Sequence, residues 1–477
     1  MVLYPITNFS VINIFNITPI LEIKKVTSCY DNVATHNYNG GYMYNNNIEL
    51  LKLVQLSQYD IDYNSTTIYV DVSTNEINIH LYLNISFRDC PYCKSNHSHI
   101  HARISKRIYH PVLPQKNCII IFHQIKFKCP ECGHYFMQFN PLVSGQKNIS
   151  IMGEISLLNA LKSPGKTFKD VADTYFIPRT SIVRSFDEHV NISRHTLPKV
   201  LCFDEIYARK LTDTKYAFVI FDPISSTIID VLDARLKDTL TDYFARIPVK
   251  ERLKVLFVNI DMWETYKTVA EKAFPNAVVC VDSFHLIKHM NDAVDKIRLI
   301  VQRRFCEHKD DDRNGYYWLL KTFHYYLVQD FNNIKYTRKP NSHYSYLWSK
   351  HEVLAKLLSI DENLAEAFNL KEEYREFNLC GTYEEAQYKV DDFIERFKKS
   401  HYLEMREVGY TMANWRDEII NSFRVVDGKR MSNGPMESLN GRLKRLLYDG
   451  YGYSNFERFR NRLMFCLNKD EPINFKK

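Results

Sequence analysis

Four cysteines in two short pairs, Cys90-Pro-Tyr-Cys93 and Cys129-Pro-Glu-Cys132, are the first residues whose spacing implies chemistry. A tetrahedral zinc ion takes four thiolates, and each C-x-x-C turn aims two sulfurs at one point. The stretch between the pairs alternates like a β-hairpin meander and would bring them together. A site closed by four thiolates leaves no open position, so the zinc is expected to be structural. His97, His99, His101 and His134 lie nearby and are read as polar surface. Cys202, Cys280 and Cys466 stand alone in apolar runs and read as buried small hydrophobes. A redox pair is disfavoured by the two copies, and disulfides by the lack of a signal peptide.

The second set is acidic. Asp204, with Glu205 beside it, ends one apolar run, and Asp261 and Asp282 end two later ones. Glu437 opens a late helix together with Asn440 and Lys444 at i+3 and i+7. Any one such Asp has an ordinary reading as a turn or helix-cap residue. Their joint placement carries the argument, because carboxylates on a first strand, an adjacent fourth strand and a late helix converge in a ribonuclease-H-like fold. There they would hold two Mg²⁺ (or Mn²⁺) ions about 3.5 to 4 Å apart for in-line phosphoryl transfer. Neighbours on a strand face opposite ways, and Asp204 is taken over Glu205 as the inward residue.

The elements that must position these groups follow from periodicity. Apolar runs predict strands at 200–203, 216–221, 227–232, 255–260 and 277–281, with helices near 238–246 and 263–274. The order is β-β-β-α-β-α-β, and the Lys/Glu/Leu/Tyr-rich stretch after it predicts a large all-helical insertion. Upstream, Phe168, Val171, Ala172 and Tyr175 mark one short amphipathic helix, Ile177-Pro178 breaks it, and Ile182, Val183 and Phe186 mark a second. That is the rhythm of a helix-turn-helix, which would present Arg179, Thr180, Ser181 and Arg184 to a DNA major groove. The expected organisation is an N-terminal segment of unknown role (1–80), a four-cysteine zinc module (81–145), a helix-turn-helix domain (146–198), the first part of an α/β ribonuclease-H-like core (199–290), the helical insertion (291–425), and the core's last helix with a basic tail (426–477).

The net charge of +7 is unevenly spread. Residues 81–200 carry 16 Lys/Arg against 7 Asp/Glu, and 421–477 carry 12 against 6, so two basic blocks flank acidic stretches. Basic blocks suit a polyanion, since each neutralised phosphate releases a counterion, although solvated helical faces look similar. With 45% hydrophobic content the chain supports packed domains, and it has no apolar run long enough to span a membrane. The reading is a soluble, intracellular protein.

The segments FDEIYARK, DMWETYKTVAEKAFPNAVVCVDSFHLIKHMNDAVDKIR and SNGPMESLNGRLKRLLYDGYGYSNFERFRNRL resemble the DDE transposases of bacterial insertion sequences of the ISL-three type. The resemblance covers about residues 85–465. It implies a catalytic triad of Asp204, Asp261 and Glu437, with Asp282 and His285 of the D-x-F-H motif as an accessory pair. These two also read as a helix cap and a packed histidine. The resemblance further implies that Arg235 reaches DNA, and Asn440 and Lys444 would touch phosphates or orient Glu437. The expected partner is double-stranded DNA, at transposon ends and target, bound by a homodimer or higher synaptic complex. The expected setting is the bacterial cytoplasm, at the nucleoid when bound. Implied is hydrolysis to a 3′-OH followed by strand transfer. The alternatives are a DNA-binding regulator derived from a transposase and a ribonuclease-H-like nuclease.

Overall fold

The computed structural model describes residues 41–475 except 46–47, 86–88, 209–210, 307–311, 332–337, 341–346, 427, 431–433, 450–452 and 469. Several side chains within described elements also fall outside the description, among them those of 434–438 and 440. The chain forms two compact units, Met1–His189 with Phe475–Lys477, and Val190–Asn474.

The first unit is built on a six-stranded sheet of β1 (Gly41–Asn45), β2 (Thr67–Asp71), β3 (Glu76–Leu81), β4 (His99–Tyr109), β5 (Asn117–Lys128) and β6 (Tyr135–Met137). The order is β1-β2-β3-β5-β4, with β6 on the end of β5. The β3–β5 pair is parallel and the others are antiparallel. Strict alternation along β2 and β3 turns Ile68, Val70, Ile77, Ile79 and Leu81 to one face, where Ile108, Ile120 and Phe122 join them. Leu50 and Leu51 of helix α1 (Ile48–Leu53) complete this core. Strands from within the first 80 residues thus share one sheet with the cysteine hairpin, although the sequence treats the two segments separately. The reason is the parallel β3–β5 pairing, a long-range contact that local periodicity does not encode.

Three helices follow: α2 (Ile151–Leu161), α3 (Phe168–Tyr175) and α4 (Arg179–His189). The Ser150 hydroxyl caps α2 by accepting from the Gly153 N–H, and Thr167 with Asp170 forms a reciprocal capping box at the start of α3. Phe176 ends α3 in the left-handed conformation (φ 54°), and Pro178 precedes α4. Phe168 meets Phe186 edge to face, with centroids 5.4 Å apart.

The second unit holds a five-stranded sheet: β7 (Val200–Tyr207), β8 (Tyr216–Asp222), β9 (Thr227–Leu232), β10 (Phe257–Ile260) and β11 (Val278–Val281). The order is β11-β10-β7-β8-β9, with β7, β10 and β11 mutually parallel and β8 antiparallel to both neighbours. All five predicted strands are present. The first runs further than expected: Asp204 and Glu205 lie inside β7, because buried Ile206 and the Tyr207–Tyr216 pair carry it on to Tyr207. Helices α5 (Lys237–Ala245), α6 (Glu264–Ala273) and α7 (Ser283–Arg303) bury Phe244, Tyr266, Val269 and Met290 against Leu201, Phe203, Phe218 and Ile220. That cluster continues without a break into α8 (Asp312–Thr322), α9 (Lys350–Leu358), α10 (Glu362–Cys380), α11 (Tyr383–Lys399), α12 (Leu403–Asn414) and α13 (Arg416–Asn421). The insertion is not wholly helical, contrary to the expectation from its composition. Arg338–Pro340 and Leu347–Ser349 form a two-stranded ribbon, with Pro340 at the pair's end where its missing N–H costs little. Finally α14 (Gly434–Asp449) packs on β7, and α15 (Phe456–Leu467) on β9. No described helix is long and apolar enough to cross a membrane.

Candidate active site

The acidic site is set by the parallel trio β7, β10 and β11, whose chain direction brings Asp204, Asp261 and Asp282 to the same end of the sheet. Asp261 follows directly on β10, and the Trp263 N–H donates to its carbonyl at 2.7 Å. Its carboxyl is driven up to about 7 by burial and by the neighbouring Glu205, Asp204 and Asp282 charges, against a smaller lowering by Arg235. Its Oδ1 is buried without a hydrogen-bond partner among the described residues. Arg235 offsets only part of the negative charge that three other acids bring to this carboxyl, and the donor set fits a divalent cation that would offset the rest.

Glu205 and Asp204 divide the work of the two faces of β7. Glu205 lies on the α6 side with Phe203, accepts from the Tyr266 hydroxyl at 2.9 Å and pairs with Arg235. The Arg235 guanidinium is stacked over Tyr216 (4.2 Å) and Trp263 (4.9 Å). Asp204 takes the opposite face, with one carboxylate oxygen accepting from the Glu205 N–H at 2.6 Å. Arg235, expected to reach DNA, is engaged within the acidic site. The bracing role of Trp263 and Tyr266 was not read from the sequence, yet its signal was present, since they are the aromatic positions of D-M-W-x-x-Y.

Asp282 is buried and caps α7 by accepting from the Phe284 N–H at 3.1 Å, while His285 Nε2 stands 3.6 Å from its other oxygen. The helix-cap reading is therefore observed, and the same carboxylate adds to the field on Asp261. Glu437 falls in the first turn of α14. The side chains of Glu437 and Asn440 lie outside the described residues. Lys444 is exposed, and Leu439, Leu443 and Leu446 form the buried side of the helix.

In the first unit, Cys90, Cys93, Cys129 and Cys132 place their sulfurs within 4.8 Å of one another, the one such cluster among the described residues. The Cys90–Cys132 and Cys93–Cys129 sulfurs are 3.5 Å apart. Zinc–sulfur bonds of about 2.3 Å require edges of about 3.8 Å, so the set fits a tetrahedral zinc ion. Both turns close alike. The Lys94 N–H donates to the Cys90 carbonyl and the Gly133 N–H to the Cys129 carbonyl, and Lys94 (φ 64°) and Gly133 (φ 75°) share the left-handed conformation. The N–H groups of Cys132 and Glu131 pull the Cys129 thiol down to about 7, against burial. The nearby histidines stay outside the cluster: His97 meets Glu131 at 3.2 Å, and His134 stacks on Tyr92.

On α4, Arg179, Thr180 and Arg184 are exposed and Ser181 is half-buried, while Ile182, Ser185, Phe186 and His189 face inward.

Residues 201–463, more than half of the chain, match the transposase family of the ISL-three DDE type. The chain is also similar to the transposase for insertion sequence element IS1001 of Bordetella parapertussis, at 19% identity over 260 residues. That alignment covers 54% of this chain and 58% of the relative, so the chain matches less than two thirds of that protein's length. Asp204, Glu205, Arg235, Asp261, Trp263, Tyr266, Asp282 and Glu437 all fall within the matched span, and the chain belongs to the ISL-three-type DDE transposase family.

Proposed function

We propose that the protein is an insertion-sequence transposase that cuts element ends to free 3′-OH groups and joins them to target DNA, in the cytoplasm at the nucleoid. The observation that carries this reading is the buried Oδ1 of Asp261, without a partner among the described residues, beside Asp204, Glu205 and Asp282. The strand order β9-β8-β7-β10-β11, with only β8 antiparallel to both its neighbours, supports a ribonuclease-H-like core. The triad is Asp204, Asp261 and Glu437. Two bound Mg²⁺ (or Mn²⁺) ions would supply positive charge for the attacking and leaving oxygens of an in-line displacement. The chain's own part is to hold that charge in place. Asp204 and Asp261 bind from adjacent strands, α14 carries Glu437 against β7, and the Arg235–Glu205–Tyr266 brace fixes the strand between them. Asp282, with His285, orients the start of α7 beside Asp261. Water and deoxyribose hydroxyl can serve in turn as nucleophile because the geometry at phosphorus is the same.

End recognition falls to α3 and α4 as a helix-turn-helix, with Arg179, Thr180, Ser181 and Arg184 towards the bases and backbone of duplex DNA, and the zinc-bearing hairpin stiffening that unit. Asn440 and Lys444 contact phosphates along α14. Two ends must be held together for joining, so the working form is a dimer or larger. The test is a supercoiled plasmid carrying the gene with its native flanks, with and without Mg²⁺, comparing wild type with Asp261→Ala. Metal-dependent nicks at the element boundary bearing 3′-OH termini, with joined products, are expected from wild type alone. Specific binding without cleavage would identify a regulator, and cleavage without joining a nuclease.

A further inference from the structure

The six-stranded sheet of the first unit has a second face. Residues opposite one another across a ladder share a face, so the pairs Arg103–Ile125, Ser105–His123, Arg107–Ile121, His80–Ile121 and Tyr69–Asn78 lie together, on the side away from Ile79, Ile120 and Phe122. Arg103, Ser105 and Arg107 are exposed there on β4 at every second residue, about 6.8 Å apart along the strand. Beside them the Tyr82 and His123 rings stack in parallel (4.2 Å, 3°), and His123 Nε2 is 3.0 Å from His80 Nδ1. Ser105 Oγ lies 3.4 Å from His123 Nδ1, and the Arg107 guanidinium lies over Tyr109. Arg103 places positive charge beside His123. The described acids of this face on β2 and β3 are Asp71, turned into its own hairpin to accept from the Ser73 and Thr74 N–H groups, and Glu76, which accepts from the Asn117 side-chain amide at 3.0 Å.

Two arginines four residues apart on one strand, with a hydroxyl between them and stacked rings beside them, are a layout that holds an extended polynucleotide, with phosphates on the cations and hydroxyl and bases on the rings. A duplex hides its base faces and gains nothing from the rings. We infer that this open sheet face binds single-stranded DNA, its phosphates along Arg103, Ser105 and Arg107 and its bases on the Tyr82–His123 platform. The inference rests on the transposase reading for its DNA substrate, since a nick at an element end is what frees a single-stranded flank. The site is distinct from α4, whose exposed residues address duplex DNA.

The experiment measures fluorescence anisotropy of the full-length protein with a labelled 20-nucleotide oligo-dT and, separately, with a duplex element end. In Arg103→Ala/Arg107→Ala, oligo-dT affinity is expected to fall at least about tenfold, and the salt dependence log K against log [salt] to lose about 1.4 of its slope, from two phosphates. Duplex-end affinity stays within about twofold. Ser105→Glu, at an exposed position, lowers oligo-dT binding in the same way, and Arg103→Lys/Arg107→Lys restores most of the salt slope. Unchanged oligo-dT binding in a normally folded double variant overturns the inference, as does an equal loss on duplex and single strand. Failure of the transposase reading looks different: wild type would then leave the plasmid uncut in Mg²⁺ whatever the oligonucleotide data show.

Discussion

Single residues decide both the charge and the local geometry of the two sites. Asp261 is held among Glu205, Asp204 and Asp282 with one oxygen buried and unpartnered among the described residues, so its charge opposes folding until a cation arrives. Asp261→Asn is therefore expected to raise the stability of the metal-free protein by about 1 to 2 kcal/mol while abolishing Mg²⁺-dependent cleavage. Urea denaturation with and without Mg²⁺ checks this, because only wild type should be stabilised by the ion. At the cysteine turns, Lys94 adopts a left-handed backbone that Gly133 occupies in the other turn, and no atom lies within 4 Å of a Cβ added at Gly133. Backbone strain alone then sets the outcome. Lys94→Gly should stabilise the zinc-bound unit by about 0.5 to 1 kcal/mol and Gly133→Ala should destabilise it by about 1 kcal/mol, read by thermal unfolding and chelator competition. The cysteines were legible from spacing, and strand alternation gave the opposite facing of Asp204 and Glu205. Glu205's tie to Tyr266 and Arg235 was not, because it joins residues 30 and 61 positions apart in sequence.

At the scale of elements, short polar links join pieces that local pattern leaves separate. His110 is fully buried where β4 ends, its Nε2–H donating to the Val54 carbonyl after α1 at 2.6 Å. Its Nδ1 accepts from the Ser150 hydroxyl at 2.6 Å, and Ser150 in turn caps α2, so one neutral imidazole ties three elements. Burial pulls its pKa from 6.5 down to about 4. The folded form therefore binds this proton less readily than the unfolded chain. Its contribution is fully present above pH 6.5, declines as pH falls, and is lost at about pH 4, a change of roughly 3 kcal/mol. Denaturation of wild type and His110→Gln across pH 4–7 should show the loss in wild type and a flatter profile in the variant. The strand and helix elements themselves were legible: apolar runs located β7 to β11, and the 3.6-residue rhythm located α3 and α4. The extra length of β7 was hidden because Asp204 and Glu205 interrupt the apolar run while the ladder to β8 continues past them.

For the whole molecule, division into two units predicts separable losses. Cys129→Ser removes one of four thiolates from the hairpin that is continuous with the first unit's sheet. It is expected to release zinc and weaken binding to element ends at least about tenfold, while the 190–474 unit keeps its own unfolding transition. Metal analysis, end binding and calorimetry on the same preparation check all three. A single transition destroyed by the substitution would contradict independent units. The second unit behaves differently inside itself, since one apolar cluster runs from Leu201 on β7 through Ile297 on α7 to Phe423. The helical insertion and the sheet that carries the acidic residues therefore share a core.

The amino-acid sequence by itself determined the four-cysteine set, the order of strands and helices in the second unit, the exposed face of α4 and the family, because each depends on spacing or periodicity within a short stretch. Tertiary structure decided what depends on distant partners: the union of β2 and β3 with the cysteine hairpin, the engagement of Arg235 with Glu205, and the field that lifts Asp261. Those properties arise from strand pairing and burial between residues far apart in the chain, which hydrophobic periodicity does not record.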